Sequence, residues 1–115
     1  MDIQTFYEMT GGNYAEALSR LGNDARITKF ANMFTRDDSM ENLRAAVAAQ
    51  DIEASFRAVH TLKGVAGNLS FTKLYDDACA LTEQLRPLEA QADPALLAQV
   101  ESTYSTIIEG LENLQ

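Results

Sequence analysis

The chain has 115 residues, enough for one compact domain and too few for two, and a core forms at that size without a disulfide or structural metal. A formal net charge of −8 leaves it without the basic face that nucleic-acid binding requires. The single cysteine, Cys79, excludes an internal disulfide and, with only one histidine, a His/Cys metal cluster; it reads as a small buried apolar side chain.

The opening Met1-Asp2-Ile3-Gln4-Thr5 has neither the basic start nor the apolar run of a signal peptide. No apolar stretch approaches the roughly 20 residues that span a bilayer, so a cytoplasmic protein without a membrane partner is expected. Apolar positions recur at helical spacing throughout. Gly11-Gly12 closes a short first segment, and Asn13 is placed to cap a helix over 14–21. Gly22-Asn23 ends that helix and Asp24 can cap the next. Ile27, Phe30, Met33 and Phe34 form a stripe that Met40, Leu43, Ala46 and Val47 continue, with Met9, Met33 and Met40 read as core or edge filling. Asp38 followed by Glu41 has the spacing of a variant capping box, which predicts a break over 37–39.

Asp51 can cap a long helix whose stripe is Ile52, Phe56, Val59, Leu62, Ala66 and Leu69. Ser70-Phe71-Thr72 is the following turn, with Thr72 as cap, and the next helix carries Leu74, Ala78, Leu81 and Leu85 and stops near Pro87. A loop over 91–94 sets Asp93 as N-cap and Pro94 at the first position of a last helix, which buries Leu97, Val100, Tyr104, Ile107, Ile108 and Leu111. Such stripes cannot be buried singly. The expected fold is all-α, an antiparallel up-down four-helix bundle with one or two short extra N-terminal helices. No strong second apolar stripe asks for a partner copy, so a monomer is expected.

The chemistry concentrates in the stretch from Arg57 to Leu69. Gly64 and Gly67 stand inside a helical pattern, where each costs close to 1 kcal/mol relative to alanine. On a helical wheel His60 lies roughly 110° from the centre of the apolar stripe, at the edge of the solvent side. Gly64 and Gly67 flank its direction one and two turns on, and Lys63 lies one turn away, between that patch and the core. The helix thus offers an imidazole with bare backbone beside it and a cation that can neutralise a phosphate on the ring. Arg57, one turn earlier, can hold phosphate or meet an acidic partner, and Asn68 stands near the same end of the helix. The pairs Asp37-Asp38 and Asp76-Asp77 point about 100° apart along a helix and read as solvated charges or caps rather than a cation site.

The run His60-Thr61-Leu62-Lys63-Gly64-Val65-Ala66-Gly67 resembles the signature of histidine-containing phosphotransfer (HPt) domains. Leu43-Arg44-Ala45-Ala46-Val47 followed by Asp51, and Gly67-Asn68-Leu69 with the helix after it, are also similar. The likeness covers about 13–111 and leaves 1–12 outside, with 1–115 read as one domain. It implies a four-helix bundle in which His60, phosphorylated on its outer ring nitrogen, relays a phosphoryl group between aspartates of receiver domains on response regulators or a hybrid histidine kinase. Lys63 would steady the phosphate and Gly64 would give the receiver room, with Arg57, Gly67 and Asn68 at the partner surface. The receiver would bring Mg²⁺ and the acidic pocket, so this chain would need no metal or cofactor of its own. Ser70 departs from the glycine that many members carry where the helix turns.

Other readings are weaker. Gly64-Val65-Ala66-Gly67 also resembles the Gly-x-x-Gly loop of an RNA-binding module, but acidity and the lack of strand patterns oppose it. A histidine kinase would need an ATP-binding domain for which there is no room, so no ATP-dependent activity is expected. A helical adaptor that binds a signalling partner without chemistry is the alternative; the retained His60-Lys63-Gly64 set argues against it.

Overall fold

The computed structural model describes residues 1–114. Among them are seven α-helices and no strand: α1 (Ile3–Thr10), α2 (Tyr14–Leu21), α3 (Asp24–Met33), α4 (Ser39–Ala48), α5 (Ile52–Asn68), α6 (Thr72–Leu85) and α7 (Pro94–Glu112), with a 3-10 turn over Phe34–Arg36. Asn13, Asp51 and Asp93 cap α2, α5 and α7 through side-chain oxygens that accept from backbone N–H groups two or three residues on. Pro94 sits in the first turn of α7, where its missing N–H leaves nothing unpaired.

Three caps differ from expectation. Asn23, in extended backbone, caps α3, and Asp24 is already helical. No side chain caps α6: Thr72 is its first residue, and the carbonyl of Gly11 accepts the Lys73 N–H instead. Asp38 does not close a capping box with Glu41; Asp37 accepts the Ser39 N–H, and the chain breaks there after the 3-10 turn. In both latter cases a neighbour reaches the helix end first, which removes the need for a local cap.

Helix α5 packs between α4 and α6, and α6 packs on α7. Arg44 closes the ring of four by gripping Glu101 through Nε and Nη2, each at 2.8 Å, while its guanidinium lies over Tyr104. The core holds Leu43, Val59, Leu62, Ala66, Leu74, Ala78, Leu81, Leu85, Val100 and Ile107. The buried stripe of α5 is rotated from the expected one: Ser55 and Ala58 are inside, whereas Ile52, Phe56 and Leu69 are half-buried. Likewise Thr103 is buried on α7, while Leu97, Tyr104 and Ile108 lie at the margin. Met40 is core, but Met9 and Met33 are 69% and 53% exposed, so they fill nothing. Cys79 is half-buried rather than buried. Asp77 is not a solvated charge, since Thr103 Oγ1 donates to it at 2.5 Å and Lys73 pairs with it at 3.3 Å.

The N-terminal helices dock at one end of this bundle, with Ile3, Phe6 and Tyr7 fully inside the core and α1 against α7. They cover the turn between α5 and α6. Arg20 Nη1 donates to the carbonyls of Gly67 at 2.6 Å and Asn68 at 2.9 Å; the Tyr7 hydroxyl donates to that of Leu69 at 2.6 Å. The Asn13 N–H donates to the carbonyl of Ser70 at 2.9 Å. The carbonyls left open at the end of α5 are therefore satisfied by residues more than 40 positions away.

Candidate functional site

Helix α5 fixes the site because its apolar face is clamped on both sides, by α4 and α6, which leaves one outer face free. His60 lies on that face and is exposed; no hydrogen bond among the described residues ends on its ring nitrogens. Its ring instead stacks on Phe56, one turn earlier, with centroids 5.9 Å apart and planes 18° from parallel. Such a contact orients an imidazole without occupying either nitrogen. Lys63 is half-buried one turn on.

The two glycines separate. A Cβ built on Gly64 meets nothing within 4 Å, so no neighbour inside the chain demands glycine there. A Cβ on Gly67 comes within 3.1 Å of the Tyr75 ring, tighter than ordinary contact. Gly67 therefore has an internal reason, the approach of α6 to α5. Asn68 is exposed beside a shallow apolar groove that Phe30, Met33, Val65 and Leu69 also line.

Arg57 is exposed one turn before His60. Its guanidinium pairs with Glu53 at 2.6 Å on its own helix, and its side chain lines the groove between α4 and α5 with Ser39, Asn42 and Thr61. A second arginine, Arg86, just past the end of α6, lies over the Phe56 ring with Cζ 5.5 Å from its centroid. Arg86 is held by Glu83 through two hydrogen bonds of 2.9 and 3.0 Å. The Glu83 carboxyl is kept below its usual range, first by those hydrogen bonds and then by the charges of Arg86 and Lys63. Sequence reasoning missed the stacking of Phe56 on His60 and the Arg86–Glu83 pair that lies over Phe56. Phe56 could have been found, since it stands four residues before His60; nothing local announces the two residues that α6 brings.

Ser70 ends α5 with φ at 57°, in the left-handed region that suits glycine. Its hydroxyl donates to Glu16 Oε1 at 2.8 Å, and Arg20 holds the same oxygen at 3.2 Å. A serine is thus accommodated by a partner from α2, and the backbone follows the path a glycine would take.

The described residues thus form a helical bundle with a surface imidazole on the helix packed between α4 and α6. No group of three His, Cys, Asp or Glu side chains converges to hold a metal among the described residues. Residues 35–114 match the model of the Hpt domain, and the chain belongs to that family, whose members take part in phosphorelays with receiver domains and kinases. Comparison with curated proteins and with solved structures found no match. Among the described residues, no helix is long and apolar enough to cross a membrane.

Proposed function

We propose that this chain relays a phosphoryl group between aspartates of receiver domains, acting as a monomer in the cytoplasm, with His60 as the carrier. The observation that carries this reading is the exposed His60 ring, stacked by Phe56 with both nitrogens unengaged, beside a Gly64 that nothing in the chain requires. The lone pair of the outer ring nitrogen attacks phosphorus, and the bond from phosphorus to the receiver's carboxylate oxygen breaks. The carboxylate leaves with that electron pair, and the proton on the other ring nitrogen stays. Lys63 offsets the charge gathered on the phosphate. The receiver supplies Mg²⁺ and the acidic pocket, and return to a second aspartate is the same step reversed. Catalysis in this reading is lent by the partner, so His60 is a nucleophile without a base of its own.

Incubation with phosphorylated receiver domains of the source organism should place acid-labile, alkali-stable phosphate on the wild type. His60→Gln should abolish it with the helical circular-dichroism spectrum unchanged. Phosphate retained by the variant, or no transfer from any receiver, overturns the reading; receiver binding without transfer would leave the adaptor role.

A further inference from the structure

The Phe56 ring that stacks on His60 also carries the Arg86 guanidinium, and that guanidinium is engaged by a carboxylate, Glu83. Its two hydrogen bonds to Arg86 engage the guanidinium fork in the way a phosphate would. The same guanidinium lies over Phe56, and Phe56 is the ring stacked on His60, so Arg86 is tied to the imidazole through one aromatic side chain. Both partners of the Arg86–Glu83 pair are at least half exposed, which leaves them free to exchange partners. The charge of Lys63 also bears on that carboxylate, more weakly than Arg86 does.

Resting on the phosphocarrier reading, we infer that Glu83 is the resting counter-ion of the site, occupying Arg86 until phosphate on His60 displaces it. A phosphoryl group carries more charge than a carboxylate and presents three acceptor oxygens. Arg86 and Lys63 therefore turn to it once it is present. Glu83 is then left as an unpartnered like charge beside the phosphate. Its presence favours the empty histidine twice, by stabilising the unphosphorylated cluster and by repelling the phosphorylated one. Glu83 thereby sets how far the phosphoryl group lies towards His60 at equilibrium, without taking part in bond making.

The test is the equilibrium partition of phosphate between His60 and a receiver domain charged with acetyl phosphate, chosen as the one that transfers to wild type. Glu83→Gln should move the ratio of phosphorylated to free His60 upward about threefold at low salt, the size typical of exposed charge pairs. Arg86→Gln should move it the other way, and in that background Glu83→Gln should shift it less. The Glu83 effect should shrink at about 1 M salt, where the Debye length falls to about 3 Å. Glu112→Gln, an equal loss of charge on α7, should leave the ratio unchanged. A Glu83→Gln ratio equal to that of wild type or of Glu112→Gln overturns the inference while the carrier reading stands. A wild type that accepts phosphate from no receiver overturns both.

Discussion

Gly64 and Gly67 carry the same helical penalty, yet only Gly67 has a neighbour that explains it, the Tyr75 ring. Filling Gly64 with a methyl group should therefore help the isolated protein. Gly64→Ala is expected to raise unfolding stability by about 1 kcal/mol in urea titrations. The same methyl should slow transfer from a phosphorylated receiver by roughly tenfold, about 1.4 kcal/mol of barrier, through obstruction of the partner. Stability and transfer moving in opposite directions is the informative outcome; a Gly64→Ala protein that transfers normally would show that no partner uses the gap. The glycine pair was legible in the sequence because its penalty is local. Which glycine has a neighbour inside the chain was not, because the answer depends on Tyr75 from the next helix. Arg57 illustrates the same limit, since spacing put it one turn from His60 but did not single out Glu53 as its partner in the fold.

At the scale of the element, α5 was readable at its start and not at its end. Asp51 caps through a bond to Ala54, three residues on, the kind of local pattern a sequence displays. The other end is finished by Tyr7, Asn13 and Arg20, contacts that only the tertiary fold brings together. Tyr7 makes that end sensitive to alkali. Burial pushes its hydroxyl well above the usual tyrosine value, with the charge of Arg20 opposing only in part. The unfolded chain ionises this tyrosine first, so the contribution is complete below the ordinary tyrosine range and is lost as pH rises towards the folded value. Unfolding free energy measured across pH 8 to 11 should fall along an alkaline limb (roughly from pH 10). Tyr7→Phe should flatten that limb and, by losing the bond to Leu69, lower stability by about 1 kcal/mol at neutral pH. An equally steep limb in the variant would assign it to other tyrosines.

For the molecule as a whole, the family match begins at residue 35, but the core does not. Ile3, Phe6 and Tyr7 are buried, and each such side chain contributes about 2 kcal/mol. Together they rival the roughly 5–15 kcal/mol by which a domain is stable. A chain begun at residue 13 should melt more than about 15 °C lower by circular dichroism, or lose its cooperative transition. An unchanged midpoint would make the first helix an appendage. The four long helices were legible from their stripes, while the docking of the first helix was not, because a short apolar segment does not say which surface it will cover.

Ser70 shares the Glu16 carboxylate with Arg20, and Arg20 in turn holds the carbonyls that end α5. Positions 16, 20 and 70 are therefore coupled: glycine at 70 would release Glu16 from one of its two partners, whereas serine there ties the turn to that carboxylate. Drift at the N-terminal helices is in this way constrained by a turn at the far end of the histidine's own helix.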